Sequence, residues 1–403
     1  MKHDRLLPFV ILTIAVVFGC VFWILRNERL LMDEVFHYPE IMRFASGNFQ
    51  HTSQIAMGPG YHFVMALPTW IFRLGTVASV RFLEILVSAG FLLLFYRLAR
   101  QLDPAHASMK LLQVSLYPLL FPYYFILFTD IMTTLFVLLC FYFVLSRRYT
   151  LAGLVGSLSL VVRQSSVVWL VLFLVFAYIQ EHGKRLPTRQ SLMNFFPKSA
   201  TFLLGIVGFL IFVIINGGVV LGGSKLYMPF VISFGNAYII LFLLFLFHLP
   251  EHILFAGRIT RSVHKHWKIV LLGAILWYVF YLATFTNTHP WNQTPYFLRN
   301  QLMHLFTKDL VWKTVLFIIA LYELFVILAH RFVKPRYALI HIAGIIPMVS
   351  MWLIEPRYAV PYVTLFLLLR TIESIPATYA SIVLSLSLSL YQVWGLHFDR
   401  FFP

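Results

Sequence analysis

The chain has 403 residues, of which 60% are hydrophobic, 17% aromatic and only 11% charged. A soluble domain carries about a quarter charged residues, so this composition excludes an ordinary soluble fold and indicates a membrane protein. The formal net charge of +16 does not indicate nucleic acid, because Lys and Arg collect in the cytoplasmic loops of membrane proteins with several spans.

Continuous apolar runs recur along the chain, unlike the alternating ten-residue segments of a transmembrane barrel. We predict an all-α polytopic membrane protein, a single integral membrane domain over residues 1–403 with about 11–13 spans. The runs lie near residues 6–25, 79–98, 109–126, 131–146, 150–162, 166–180, 200–216, 229–248, 269–286, 310–329, 337–354, 359–373 and 378–395. Ser and Leu alternate over 385–389, but an isolated strand would leave backbone groups unpaired in lipid, so we predict a helix there too.

The first run lacks a small-residue cleavage site, which predicts a retained anchor rather than a signal peptide. With a cytoplasmic N-terminus, most basic clusters fall in cytoplasmic loops, as the positive-inside rule requires. The first loop, residues 26–78, is then non-cytoplasmic, although it holds several Arg residues itself. Within it we predict a short interfacial helix over 38–45 and a turn at Gly58-Pro59-Gly60.

Adjacent acids, Asp33 and Glu34, follow the first run in a chain that has only 15 acidic residues. Carboxylates at the mouth of a membrane span are costly, which indicates a function. Asp33 is predicted to be a general base and Glu34 a neighbour that tunes it, the alternative being a helix cap or an exposed loop pair. His37 would share a helical face with Asp33, where it could bind substrate, hydrogen-bond Asp33 or serve only structure.

Further polar residues interrupt the apolar runs on the same predicted side of the membrane. Asp130 could line a pocket or cap a helix. Arg163, followed by Gln164, and Arg357, beside Glu355 and Tyr358, could grip a phosphate, whereas a local ion pair is the structural alternative for Arg357. Asn216 precedes two glycines that would suit a helix C-cap. Asn292-Gln293-Thr294 is a glycosylation sequon, weakened by the following Pro295.

This inventory predicts a reaction class. A carboxylate base, cationic phosphate contacts and access from lipid fit glycosyl transfer from a polyprenyl-phosphate sugar by an inverting displacement. No cofactor and no metal is predicted, because the carboxylates are too few for a hard cation. A transporter with an acidic relay is a different class of alternative, for which Glu84 and Glu323 are the clear acids well inside the runs. A channel regulator is a third alternative.

Four short segments, in order along the chain, resemble one known family. They are Met32-Asp33-Glu34-Val35-Phe36-His37, Arg163-Gln164-Ser165-Ser166 with Trp169, the segment from Ile215 to Gly222, and Glu355-Pro356-Arg357-Tyr358 with Pro361-Tyr362. They are similar to those of the dolichyl-phosphate-glucose-dependent α-1,2-glucosyltransferases, which add the third and last glucose to the lipid-linked precursor of N-glycans.

The resemblance implies a GT-C type fold, a multi-pass location in the endoplasmic reticulum membrane and a lumenal active site. It implies a dolichyl-phosphate glucose donor, a dolichyl-pyrophosphate-linked oligosaccharide acceptor and no nucleic acid. Asp33 and Glu34 are the expected catalytic residues. The expected substrate-binding residues are His37, Asp130, Arg163, Gln164, Asn216, Glu355, Arg357 and Tyr358. Another GT-C enzyme, such as a polyprenyl-phosphate-mannose mannosyltransferase, remains the nearest alternative.

Overall fold

The computed structural model describes residues 6–26, 29–183, 187–222 and 232–403. Within these ranges the chain forms 17 α-helices and no β-strand, which confirms the predicted all-α membrane fold. The helices are α1 Leu7–Leu25, α2 Glu34–Ala45, α3 Gly60–Ile71, α4 Val77–Leu102, α5 Ala107–Ser115, α6 Thr129–Leu145, α7 Tyr149–Val162, α8 Val167–His182, α9 Arg189–Asn216, α10 Gly235–Phe247, α11 His252–Lys265, α12 Trp267–Thr284, α13 Leu298–Thr307, α14 Leu310–Ala329, α15 Ile340–Val349, α16 Val360–Leu369 and α17 Ile375–His397.

Among the described residues, seven helices are long and apolar enough to cross a membrane, or eight if the bent pair formed by α10 and α11 counts as one span. Four apolar segments, those of α6, α7, α15 and α16, are shorter. α12 buries only Tyr281 in the protein, and its apolar side chains therefore face lipid. The alternating Ser and Leu residues of 385–389 lie in α17, so the helix predicted there is confirmed.

The predicted run 109–126 is not one helix, which corrects that part of the prediction. α5 ends at Ser115, and a separate 3₁₀ turn covers Phe121–Tyr124. Pro118 and Pro122 lack the backbone N–H that a continuous helix would need. Every residue from Leu116 to Asp130 is buried. Irregular backbone is tolerated at membrane depth when protein surrounds it, as it does here.

The loop between α1 and α4 is more ordered than predicted. The predicted short helix over 38–45 lies within α2, and α3 was not predicted. The turn before α3 packs closely on the end of α7: a Cβ on Gly58 would come within 2.1 Å of the Val161 carbonyl oxygen. Only glycine fits that approach. The loop is thereby fixed against the helix bundle.

Ion pairs gather at two ends of the bundle. Asp33 pairs with Arg357 just before α16, and Arg370 pairs with Glu251 just after α16. We name these the Asp33 end and the Arg370 end. Lys110 lies at the Arg370 end, where it donates to the carbonyl oxygens of Leu368 and Arg370. The chain next contacts the Asp33 end at residue 127. Helix α5 and the irregular segment 116–126 together therefore connect the two ends.

Candidate active site

A cavity of about 910 Å³ lies at the Asp33 end. Asp33 and Arg357 both line it, and Asp33 Oδ2 lies 2.8 Å from Arg357 Nη1. Six aromatic side chains contribute to its walls: Phe36, Phe128, Trp291, Tyr296, Phe297 and Phe402. Aromatic faces combined with a few charged groups suit a ligand that has both apolar and hydroxyl-bearing surfaces.

The backbone around Asp33 aims its carboxylate into this cavity. Met32 adopts a left-handed conformation with φ of 50°, which is costly for a residue with a side chain. α2 starts at Glu34, two residues after Met32, so the side chains of Asp33 and Glu34 point in different directions. The Asp33 side chain is 32% exposed. A strained residue directly before a cavity-lining carboxylate is typical of a functional site.

The segment 353–355 is held by two buried asparagines on other elements. Asn236 donates to the Leu353 carbonyl oxygen and accepts from the Glu355 N–H. Asn292 donates to the Ile354 carbonyl oxygen and accepts from the Ile354 N–H. These four bonds fix the extended backbone from which Glu355 and the Arg357 turn project into the cavity.

Charges alternate along this wall of the cavity. Arg299 Nη2 lies 2.8 Å from Glu355 Oε2, and Arg357 Nε lies 3.8 Å from the same oxygen. Arg357 therefore lies between Glu355 and Asp33. The local ion pair predicted as the structural alternative for Arg357 is present, but Asp33 is the closer partner. Arg299, on α13, was not predicted, since nothing in the sequence links it to Glu355.

The pKa of Asp33 reflects two opposing effects. Burial raises it, but the charge of Arg357 and a hydrogen bond from Arg357 lower it by more, so that the pKa of Asp33 lies below its ordinary value. Asp33 is therefore a carboxylate at neutral pH, ready to accept a proton. While it is bonded to Arg357 it is a weak base, and it becomes stronger if the guanidinium moves to another anion.

A smaller pocket adjoins the cavity and shares Arg357 with it. Asp130 and Arg163 form an ion pair in its wall, and the Arg163 guanidinium lies 5.4 Å from the centre of the Tyr358 ring. The Ser166 hydroxyl is buried there and has no hydrogen-bond partner among the described residues. Two guanidinium groups and a free hydroxyl around one small space form an anion-binding arrangement.

Glu34 lies outside the cavity, which does not fit its predicted catalytic role. Its side chain is fully buried and pairs with Arg81, whose Nε lies 2.9 Å from Glu34 Oε1. Glu34 also accepts hydrogen bonds from the Leu31 and Leu127 amides. Both carboxylate oxygens are therefore occupied, and we assign Glu34 to structure. No local pattern predicts this ion pair, because Arg81 lies far along the chain, inside α4.

His37 lines the cavity and is 2% exposed. Its Nδ1 lies 2.9 Å from Nε2 of His62, so that nitrogen does not bond to Asp33, which had been one predicted role. Burial lowers the pKa of His37 to about 4, although the nearby charge of Asp33 opposes this shift. His37 is therefore neutral at physiological pH.

Gln164 contacts the cavity wall from outside, whereas Asn216 makes no contact with it. This part of the cavity wall consists of residues 53–57. Gln164 donates to the Ala56 carbonyl oxygen over 3.3 Å, and the Leu221 N–H donates to the same oxygen. Asn216 is exposed at the end of α9 and donates to the carbonyl oxygens of Gly218 and Val220. Asn216 therefore stabilises the segment that follows α9. That segment begins at Gly217, the C-cap residue, which has a φ of +70°. The Asn216 side chain does not line the cavity.

The sequon at Asn292 does not fit a glycan acceptor. The side chain is fully buried, and its amide donates to Asn300 Oδ1 and to the Ile354 carbonyl oxygen. A glycan would have to displace both bonds.

In the described ranges, no three His, Cys, Asp or Glu side chains converge on a point that could hold a metal ion.

Comparisons with known proteins agree with the motifs. The model of the DIE2/ALG10 family matches residues 27–192. A human protein named Dol-P-Glc:Glc(2)Man(9)GlcNAc(2)-PP-Dol alpha-1,2-glucosyltransferase is 26% identical over 316 residues, which cover 64% of this chain and 65% of that protein. An Arabidopsis thaliana protein of the same name is 31% identical over 160 residues, 35% of this chain and 31% of that one.

A Candida albicans protein of that name is 27% identical over 192 residues, covering 43% of this chain and 41% of that protein. The chain therefore spans less than two thirds of the length of these relatives. No solved structure matches the chain. The matches confirm the resemblance indicated by the motifs: the chain is similar to the DIE2/ALG10 family over residues 27–192 and to the α-1,2-glucosyltransferases named above.

Proposed function

We propose that the chain transfers glucose from dolichyl-phosphate glucose to the lipid-linked oligosaccharide, as the third, α-1,2-linked glucose of the N-glycan precursor. The observation that carries this proposal is the cavity in which the Asp33 carboxylate lies 2.8 Å from the Arg357 guanidinium. A base beside a phosphate-binding cation is the pair of groups that the reaction needs. The names of the relatives supply the donor and the acceptor.

The chemistry is an inverting displacement at the anomeric carbon. The oxygen of the acceptor hydroxyl attacks C1 while Asp33 accepts the proton of that hydroxyl. At the same time, the bond from C1 to the phosphate oxygen breaks. Dolichyl phosphate leaves with the electron pair and needs no protonation, because the arginines stabilise its charge. The proton on Asp33 then passes to solvent. General-base catalysis of this kind contributes about 10²–10⁴-fold.

The smaller pocket is the proposed binding site of the donor phosphate. Arg163, Arg357 and the Ser166 hydroxyl surround it. Its volume of about 10 Å³ holds about one water molecule, so Arg357 has to move aside to admit the phosphate. A phosphate there would draw Arg357 away from Asp33 and leave the carboxylate a stronger base, so donor binding would prepare the base for the acceptor.

An apolar groove provides a path for the dolichyl chain. It has a volume of about 310 Å³ and lies between α8 and α15. Trp169 and Pro347, on these same two helices, line the phosphate pocket. The groove walls are entirely aliphatic: Val167, Val168, Val171, Leu172 and Val175 face Leu339, Ile342, Ala343 and Ile346.

Replacing Arg357 by Gln should change the pH dependence of transfer. Asp33 must be ionised to accept a proton, so activity is present above its pKa and is lost as the pH falls through it. The guanidinium helps to keep that pKa below its ordinary value. Without the guanidinium the pKa of Asp33 in the free enzyme rises, and we expect the acid limb of kcat/KM against pH, which reports the free enzyme, to move to higher pH in Arg357→Gln.

The matched control for this experiment is Arg258→Gln, which breaks an exposed pair with Glu373 at the Arg370 end. Its acid limb should coincide with that of the unaltered protein. An unshifted limb in Arg357→Gln would contradict the role given to the pair.

We propose that the protein lies in the endoplasmic reticulum membrane with the Asp33 end in the lumen. The cationic Arg147, Arg148 and Lys198 lie together around one pocket at the opposite end of α6 from Asp130, which supports a cytoplasmic Arg370 end under the positive-inside rule.

Gln50→Thr tests this orientation, because it gives the triplet Asn-Phe-Thr starting at the exposed Asn48, between α2 and α3. We expect the variant expressed in eukaryotic cells to gain one glycan, seen as a mass shift that peptide-N-glycosidase removes. The unaltered protein, whose sequon at Asn292 is buried, should show no shift and serves as control. A Gln50→Thr variant without a glycan would contradict a lumenal Asp33 end.

The donor sugar distinguishes the proposal from its nearest alternative. Purified protein should transfer sugar from dolichyl-phosphate glucose and not from dolichyl-phosphate mannose to the same acceptor. The reverse preference would identify a mannosyltransferase of the same architecture.

A further inference from the structure

Two buried imidazoles contact each other at the edge of the cavity. His37 lines the cavity, whereas His62 on α3 does not. His37 Nδ1 lies 2.9 Å from His62 Nε2, and the two residues are 2% and 0% exposed. Burial lowers the pKa of His37 to about 4 and that of His62 to about 2, so both rings are neutral. One hydrogen therefore lies between the two nitrogens.

The other nitrogen of each ring, His37 Nε2 and His62 Nδ1, is buried and has no hydrogen-bond partner among the described residues. Two arrangements are possible. If His62 Nε2–H donates to His37 Nδ1, then His37 presents an N–H at Nε2, and His62 keeps a bare nitrogen. In the reverse arrangement His62 carries an N–H without an acceptor, and His37 presents a bare lone pair.

The first arrangement is favoured once a ligand hydroxyl bonds to His37 Nε2, because it then leaves only an acceptor, His62 Nδ1, unsatisfied, whereas the second leaves a buried His62 N–H without an acceptor. Buried N–H groups without an acceptor are rarer in proteins than unsatisfied acceptors. The free N–H of the pair then belongs to the residue that lines the cavity, where a ligand can accept from it.

We propose that His37 donates a hydrogen bond from Nε2 to a hydroxyl of the bound sugar, and that His62 is the positioning residue that selects this tautomer. This inference rests on the proposed function. His37 is thereby a specificity residue rather than a second base, because Nε2, the nitrogen proposed to contact the ligand, already carries hydrogen. A site built to bond one hydroxyl discriminates strongly against an analogue that lacks it, since the buried donor is then left unpaired.

The test compares donors and acceptors that each lack one sugar hydroxyl. With the unaltered protein, we expect one of these deoxy compounds to lose about tenfold or more in kcat/KM. In His37→Phe, which keeps a ring but has no nitrogen, that same compound should lose nothing further relative to the full substrate. Persistence of the full penalty in His37→Phe would show that another residue bonds the hydroxyl.

Variants of His62 test the positioning role. The amide nitrogen of Gln reaches the place of Nε2 and can donate to His37, so His62→Gln should keep the penalty of the unaltered protein. His62→Leu fills the space without a donor, and the penalty should fall several-fold. If the melting temperature shows that His62→Leu does not fold, His62→Asn replaces it in the test. The Asn amide reaches only the place of Nδ1 and so cannot donate to His37.

Equal penalties in His62→Gln and in His62→Leu or His62→Asn would overturn the positioning role. An unaltered protein that transfers no glucose to any acceptor would instead overturn the proposed function on which the inference rests. The two failures are therefore distinguished within one set of assays.

Discussion

Asp33→Asn is expected to reduce kcat for glucose transfer by about a thousandfold, within the usual range for the loss of a general base. The amide keeps the shape of the side chain but cannot accept the proton of the acceptor hydroxyl. The side chain is 32% exposed, so the variant should fold. Transfer from radiolabelled dolichyl-phosphate glucose by purified protein, with kcat and KM measured separately, checks the expectation.

Asp103→Asn is the matched control, since it makes the same chemical change at an acid that pairs with Lys110 and His106 outside the cavity. We expect its kcat to stay within a factor of two of the unaltered value. Full activity in Asp33→Asn would remove the base from the mechanism, whatever the control shows.

Glu34→Gln is expected to act on stability rather than on the chemical step. It leaves the Arg81 guanidinium buried without its counter-charge, and breaking a buried ion pair in this way costs about 3–5 kcal/mol. Both side chains are fully buried. Thermal unfolding in detergent, followed by size-exclusion chromatography, should show a large fall in melting temperature.

A double-mutant cycle separates the ion pair from the other bonds of these residues. Glu34→Gln with Arg81→Met should be less destabilised than the sum of the two single variants, because no unpaired charge remains. Additive losses would show that the backbone contacts, such as the bond from Arg81 to the Arg29 carbonyl oxygen, dominate instead. Folded Glu34→Gln that lost transfer as completely as Asp33→Asn would restore a catalytic role to Glu34.

The sequence predicted the helical membrane fold and most of the charged residues at the Asp33 end. Apolar periodicity and the cost of charges in lipid act locally, so runs and isolated acids can be recognised from a single chain. Asp33 with Arg357, and Asp130 with Arg163, were each singled out, although the sequence did not show which acid pairs with which arginine.

Contacts between distant segments account for what was missed. Glu34 was assigned to catalysis because it adjoins Asp33, but a strained Met32 and the start of α2 turn it towards Arg81. Asn236 and Asn292 position the Glu355 segment through bonds that span more than sixty residues. His62 lies on α3, a short helix in the loop between α1 and α4, where no apolar run is long enough to cross a membrane. None of these partners carries a local pattern.

The transporter alternative relied on acids inside spans. Glu84 accepts a hydrogen bond from the Tyr61 hydroxyl over 2.9 Å, and Glu323 contacts His248 and His252. Both acids are thus held by neighbouring helices. The charged groups that line the large cavity lie instead at one end of the bundle, as transfer between two lipid-linked substrates requires.

The most direct measurement is a transfer assay with purified protein, dolichyl-phosphate glucose and the dolichyl-pyrophosphate-linked oligosaccharide that already carries two glucoses. The account predicts a product that is one hexose heavier, whose new glucose is α-1,2-linked with the anomeric configuration opposite to that of the donor. Absence of any product with a well-folded protein, or a product that retains the donor's configuration, would contradict it.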